Sequence, residues 1–483
     1  MPPANDTSSI EQELRAIFEG SSDVIFDRTR LLDGEDAWGV LLIHCEGLTD
    51  AKQIDQGIMP QLSRMTAKQV QAGEIGNLSF QTLAYDKDAI VEGVFSGRLV
   101  LLFDGFQELY AINISNPPQR NTEESNTEVS VKGPRDGFTE SLITNVALVR
   151  KRLKTADLRC EPFVIGRKSR TKVALLYLND VINPSILDIA RKRMSGIDID
   201  ALVSSEELIE YIADSPFRLF PLVDYIGRPD FAVAALLLGR FIVIVDGTPM
   251  VLIAPATLSS LLKTPEDVHA SFVLVMTESF LRYVGLMVSI FLPGFFIALT
   301  CFQLDQIPFS ALATVINERR GIPLSSPLEG FLMQVLFELF REAGIRLPKG
   351  VGQTVTVVGG LFIGQAAIEA GLTSPAMLVV TALSMVASYT LVNQSLSGLV
   401  TVLRMFVLLC SSFLGMYGFF LGMFAILLYL STMESFGVPY LAPLSPPVFQ
   451  DMLRALFTKP RVLTKTRPVT YGSPNRVRKG SRK

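Results

Sequence analysis

Polar and apolar positions follow two different patterns along the chain. Up to about Leu281, short apolar runs alternate with charged, turn-forming stretches. Trp38–His44 (WGVLLIH) reads as a buried strand by its length and residue types. Glu128–Val131 is strand-like, and Glu161–Ile165 and Lys172–Tyr177 read as strands joined by the turn Gly166–Arg170. Helical periodicity predicts helices at Ile10–Phe18, Ala51–Met59, Ala67–Ala72, Phe138–Lys154 and Ser205–Ala213. Asn183-Pro184 opens a further helix, with an N-cap side chain followed by a proline at the first helical position.

One unit occurs twice in this half. Asp88-AIVEGVFS-Gly97-Arg98-LVLLF-Asp104-Gly105 reads as an Asp-capped helix, a glycine stop, an apolar strand and an Asp-Gly turn into a second strand. It returns 142 residues later as Asp230-FAVAALLL-Gly239-Arg240-FIVIV-Asp246-Gly247, with Asp, Val, Gly, Arg, Asp and Gly at identical offsets. The soluble region therefore reads as two α/β subdomains sharing a helix–hairpin element. They occupy residues 1–115 and 128–280, with a Pro/Asn/Thr-rich linker at 116–127. Arg240 and Asp246 argue against a membrane span at Ala234–Leu252.

After Arg282 the pattern changes. Tyr283–Leu304 holds 22 residues without a charge, long enough to cross about 30 Å of hydrocarbon. Ser326-Pro-Leu-Glu329 has the form of a capping box. It opens a helix with Leu328, Phe331, Leu332, Val335, Leu336, Leu339 and Phe340 on one face and Glu338, Arg341 and Glu342 on the other. That helix is expected to lie on the membrane or pack against a bundle. Gly350–Ile368 and Ser374–Asn393 are apolar, and Leu396–Thr432 has room for two short spans broken near Ser411–Gly415, or for one long tilted helix. Arg404, the sole charge between Glu369 and Glu434, faces a polar cavity or snorkels to an interface. The expected fold is an α/β soluble N-terminal region of two subdomains followed by an all-α polytopic membrane domain of 4–5 spans (281–440) and a basic tail (441–483). The first residues lack the apolar core of a signal peptide, so the soluble region is expected on the cytoplasmic side. A tail on the same side requires an even number of spans and favours four.

Within Gly350–Glu369, the residues Thr354, Val358, Phe362, Gln365 and Glu369 recur every three or four positions and share one helical face. Gly359, Gly360 and Gly364 allow close helix packing, with Gly360 and Gly364 forming a small-xxx-small pair. Two readings follow. The polar face lines a pore, with Phe362 as an apolar constriction and Glu369 favouring cations at one mouth; or the helix is a buried packing element with Glu369 at the water interface.

Composition adds a membrane signal and removes several chemistries. The chain is 49% hydrophobic with a mean hydropathy of +0.36. Its net charge of −3 hides an asymmetry: Arg454–Lys483 holds ten Lys/Arg and no acid, leaving the rest at −13. Such a tail suits a cytoplasmic flank and contact with anionic membrane lipid. It lacks the interleaved aromatics of a nucleic-acid binder. The four cysteines (45, 160, 301, 410) form no CxxC, and disulfides are not expected. His44 and His269 are far apart in sequence, and there is no HExxH, Walker A or dinucleotide fingerprint. No catalytic, cofactor or metal site is predicted.

The stretch RLPKGVGQTVTVVGGLFIGQAAIEAGLTSP (346–375) resembles the A subunit of spore germinant receptors, the GerA family. TEVSVKGPRDGFTESLITNVALVRKRL (Thr127–Leu153) and GRPDFAVAALLLGRFIVIVDGTP (Gly227–Pro249) extend the resemblance over roughly Glu128–Tyr440. The resemblance implies an oligomeric, ligand-gated ion channel of the spore inner membrane, as a pentamer. The implied partners are a permease-like, nutrient-binding B subunit and a lipoprotein C subunit, with the N-terminal region and tail on the core side. An A-like paralogue associated with the dipicolinate-release apparatus, and a non-conducting scaffold for the nutrient-binding subunit, are the alternatives; an enzyme is not expected.

Overall fold

The computed structural model describes residues 6–33, 36–63, 80–118, 133–134, 136–215, 218–346, 364–449, 451–452 and 466–478. The expected elements at Ala67–Ala72 and Glu128–Val131, and most of the linker, lie outside them. The first subdomain opens with α1 (Asp6–Ile17) and a long hairpin, β1 (Val24–Asp33) and β2 (Asp36–Cys45). A helical stretch over 51–62 follows, then β3 (Gln81–Leu83), α2 (Lys87–Phe95), β4 (Arg98–Phe103) and β5 (Leu109–Asn113). The sheet order is β1-β2-β4-β5-β3, antiparallel throughout. β2 and β4 read as continuous apolar runs because both sheet faces are covered. Val40, Leu42, Leu99, Leu101 and Phe103 pack toward the 51–62 stretch, and Leu41, Ile43, Val100 and Leu102 toward α1 and α2.

The second subdomain repeats this plan. α3 (Leu142–Arg150) precedes the hairpin β6 (Leu158–Ile165) and β7 (Thr171–Leu178). Then come α4 (Pro184–Ser195), α5 (Ser205–Ile212), β8 (Asp224–Ile226), α6 (Pro229–Leu236), β9 (Phe241–Val245) and β10 (Val251–Ala254). The order β6-β7-β9-β10-β8 is the first sheet's order over again. The repeated glycines occupy matching left-handed positions: Gly97 and Gly239 end their helices at φ +83° and +91°, and Gly105 and Gly247 both turn at +85°.

Local capping differs from the sequence reading in three places. The residue before α2 is Asp86, whose side chain makes no cap bond, and Asp88 falls in the first turn. α3 begins only at Leu142, because Ser141 accepts from the Thr144 N–H and fixes the start there. Glu329 does not close a capping box on its own helix, since its carboxylate is engaged elsewhere, as described below.

A buried ion pair joins the subdomains. Arg150, at the end of α3, donates to Asp23 just before β1 through Nε (2.6 Å) and Nη2 (2.8 Å), and its guanidinium lies 4.3 Å from the centre of the Phe95 ring. Both side chains are buried.

The helical region contains α7 (Phe272–Phe302), α8 (Phe309–Glu318), α9 (Ser326–Arg346), α10 (Pro375–Ser388) and α11 (Gln394–Thr432). Among the described residues α7 and α11 are long and apolar enough to cross a membrane. α7 starts well before the charge-free segment. Its early charge Arg282 is neutralised by Asp267 at 2.8 and 2.9 Å, so the charge no longer opposes continuation of the helix. α11 breaks at Gly415 (φ 60°), where a Cβ would stand 2.6 Å from the Phe302 ring. Gly422 then lies beside Val407 and Phe406, so the helix doubles back as a hairpin of two limbs. α10 runs antiparallel to α7: Thr390 meets Gly285, Ser384 donates to the Ser289 carbonyl, and Met377 packs on Ile297. Gly330 of α9 also meets Ile297, while Arg341 reaches Ser397.

The chain returns from α11 to the second subdomain. The Ser435 hydroxyl donates to the Leu222 carbonyl, and Phe436 packs edge-on to Phe241 at 5.0 Å. Arg467 donates to the Leu237 carbonyl, and Tyr471 is buried in the core of the same subdomain.

Candidate functional site

Several apolar side chains of α9 face outward while two of its polar ones are buried. Leu328, Leu332, Val335 and Leu339 are exposed, whereas Glu329 and Gln334 are buried. A helix at a water interface does the reverse. This inversion is the arrangement of a bundle with an apolar surround, and exposed Leu383, Val386, Phe413 and Phe424 extend the apolar surface over α10 and α11.

The inward groups form one network. Arg404 of α11 is 1% exposed and donates through Nη1 to Ser384 of α10 (3.1 Å) and through Nη2 to Thr401 (3.3 Å). With its amide oxygen facing the guanidinium, Gln334 of α9 accepts from Nε and Nη2, each at 2.9 Å. Glu338, one turn on, lies 3.9 Å from Arg404, accepts from Thr401 (3.1 Å), and pairs with Arg341. Arg341 in turn donates to the Ser397 carbonyl and hydroxyl, both at 3.3 Å. Ser384 passes the connection to α7 through the Ser289 carbonyl (2.9 Å). Four helices are therefore tied by one cation and its acceptors, in surroundings where an unpaired charge is costly.

A second carboxylate sits deeper. Glu329 Oε1 accepts from the Thr373 hydroxyl (3.0 Å), the Ser374 N–H (2.6 Å) and the Ser374 hydroxyl (2.5 Å). Ser374 caps α10, accepting from the Met377 N–H, so Glu329 fixes the start of a neighbouring helix.

Of the residues predicted from the sequence, Thr354, Val358, Phe362, Gly359 and Gly360 lie outside the described residues. The rest fall in a helical turn at 364–369. Gly364 is buried, and a Cβ there would lie 3.1 Å from Leu378. Gln365 and Glu369 are exposed and joined by a 3.1 Å hydrogen bond, on the side of the turn away from buried Gly364 and Ala367. The Arg404 network brings together different residues. Its sequence signal was available: Gln334, Glu338 and Arg341 are spaced by four and three on α9, and Ser397, Thr401 and Arg404 by four and three on α11, each a single helical face.

The soluble region meets this bundle through Asp224. Its carboxylate accepts from Asn393 Nδ2 at 2.8 Å, and Asn393 Oδ1 caps α11 by accepting from Ser395 and Leu396. Complete burial pushes the Asp224 carboxyl up to about 6, against the opposing pull of Arg240. Neither histidine takes part: His269 is bonded to Asp230 at 2.9 Å, and burial lowers the pKa of His44. Among the described residues no cluster of three or more His, Cys, Asp or Glu is placed to hold a metal.

Comparison with known proteins places the chain in a family. The family described as Bacillus/Clostridium GerA spore germination protein matches residues 12–470. The chain belongs to the GerA spore germination family. It is 41% identical to spore germination protein XA of Bacillus anthracis, over 95% of this chain and 94% of that protein. It is 35% identical to the uncharacterized membrane protein YfkQ of Bacillus subtilis (strain 168), over 96% and 91%, and 33% identical to that strain's spore germination protein KA, over 95% and 86%. The crystal structure of the N-terminal domain of the A subunit of the Bacillus megaterium spore germinant receptor GerK3 is 29% identical and covers 52% of this chain and 95% of that one, with a TM-score of 0.39. Membership in the GerA family supports a germinant-receptor role, and the two long apolar helices fit a membrane association.

Proposed function

We propose that the chain is the A subunit of a spore nutrient germinant receptor and that several copies surround an ion path opened by a nutrient-binding partner. The observation that carries this reading is the orientation of the turn at 364–369. Its small residues Gly364 and Ala367 pack inward, while Gln365 and Glu369 stand on the outside of the single chain. Uncharged polar and carboxylate groups facing hydrocarbon are costly, so an axis shared by copies is the environment that suits them. One helix encloses no pathway, whereas a ring of copies does, and the resemblance implies a pentamer. The partners on this reading are a permease-like B subunit, a lipoprotein C subunit and membrane lipid, in the spore inner membrane. The tail packs on the second subdomain, which supports placing both on the core side. The reading includes no catalytic step.

The test is ion flux through the full chain reconstituted with its co-expressed partners. Nutrient-dependent cation flux is expected, reduced about tenfold or more in Glu369→Gln, as a charge at a pore mouth concentrates permeant ions by such factors. Flux unchanged in that variant would remove Glu369 from the path. A non-conducting scaffold is the second reading, favoured by the Arg404 network, which closes the four helices on one another; an assembled complex without flux would establish it.

A further inference from the structure

A cavity of about 440 Å³ opens where α6, the turn at 258–268, the start of α7 and the returning tail meet. It lies outside the bundle network. One wall is apolar, with Phe231, Ala235, Leu238 and Val275 on it; the other presents cations. Arg240 is 2% exposed, and its acceptors are two backbone carbonyls, Pro255 (2.8 Å) and Ile253 (3.4 Å). The Lys263 side chain lines the same cavity, is exposed, and makes no ion pair among the described residues.

The carboxylates at the cavity are already engaged. Asp230 holds Arg228 at 2.7 and 3.1 Å and His269 at 2.9 Å. Asp267 holds Arg282 at 2.8 and 2.9 Å. Asp451 accepts from the N–H groups of Val469 and Thr470. A buried arginine held only by backbone carbonyls and a lysine that makes no ion pair, beside an apolar wall in a cavity of small-molecule size, describe a site for an anion with an apolar body. In the first subdomain the equivalent arginine, Arg98, bonds Gln81 near the surface.

We propose that this cavity binds an amphiphilic organic anion, its carboxylate or phosphate meeting Lys263 and Arg240 and its apolar part lying on Phe231 and Leu238. The occupant is a free small acid or the headgroup of an anionic lipid, because Val275 belongs to the helix that continues into the apolar bundle. The proposal does not rest on conduction: it survives a chain that carries no ions.

The experiment uses the full chain with two probes. Benzoate is titrated into detergent-solubilised protein, followed by calorimetry and thermal unfolding. Separately, the chain is placed in nanodiscs of phosphatidylglycerol or of phosphatidylcholine. Lys263→Gln is the test variant, because Arg240 also holds the Pro255 carbonyl and its loss risks misfolding; Lys263→Arg keeps the charge. Benzoate binding weakened about tenfold or more by Lys263→Gln and kept by Lys263→Arg is the expected result, the ordinary size of a lost charge-assisted hydrogen bond. Stabilisation by phosphatidylglycerol alone, abolished in Lys263→Gln, assigns the same site to a headgroup. Binding absent from both arms, or indifferent to Lys263→Gln, overturns the proposal.

Discussion

The two sheet subdomains share strand order, a 142-residue offset and matching glycine turns, yet they put the same positions to different uses. In the first, Arg98 bonds Gln81 at 3.5 Å near the surface, and Asp104 pairs with Arg28. In the second, Arg240 is buried, and the strand position corresponding to Gln81 is Asp224, a buried acid bonded to the cap of α11. Asp246, the counterpart of Asp104, accepts from the Leu142 N–H at the start of α3. One copy remains a surface module. The other has turned the same scaffold into the seat of the helical bundle and of the returning tail. The difference teaches that a repeat fixes backbone geometry, while function is placed by which of its polar positions become buried.

The joint between the copies bears the largest expected effect. Arg150→Ala strands Asp23 in a buried site and is expected to cost about 3–5 kcal/mol, the usual loss when one partner of a buried pair is removed. Denaturant unfolding of the full chain checks it. A loss below about 1 kcal/mol would mean the copies do not depend on this pair.

Asp224 gives the next effect, and its sign follows from burial. Its carboxyl is raised from 3.8 to about 6 in the folded chain, so the native state holds a proton that the unfolded state releases between those values. Its contribution is fully present below about pH 4, declines as pH rises, and is lost above about pH 6. Asp224→Asn keeps an acceptor for Asn393 and removes this decline. The variant is expected to be up to about 3 kcal/mol more stable than the parent at pH 8, with no advantage at pH 4. Thermal unfolding across that range measures it, and equal slopes in the two proteins would place Asp224 in contact with solvent.

The smallest effect compares the equivalent arginines. Arg240→Ala is expected to cost about 2 kcal/mol, from buried carbonyls left without a donor. Arg98→Ala is expected to stay within about 0.5 kcal/mol, as for other surface changes. Matching losses in parallel melts would erase the distinction between the copies.

Much of the soluble fold was legible in the sequence because its signals are local. The WGVLLIH strand, the Asn183-Pro184 helix start and the repeated helix–Gly–strand–Asp-Gly unit each carry their own pattern, and the shared strand order follows from it. The bundle was less legible. Apolar length marked α7, but the turn at Gly415 depends on Phe302, far away in the chain, filling the space beside it. Glu329 matched a capping box locally, whereas its partner is the start of a helix more than forty residues away. Glu338 and Arg341 are legible only as the face opposite the apolar one, and nothing local says which face turns inward. The inversion becomes evident once Arg404, on a different helix, is seen to be their partner.

The central claim, that copies of this chain surround an ion path, is tested most directly by single-particle imaging and flux on the same reconstituted assembly. The account predicts a closed ring with Gln365 and Glu369 toward its axis, and cation flux that appears with partner and nutrient. A single copy per complex, with Gln365 and Glu369 against lipid or a partner and no flux, would contradict it.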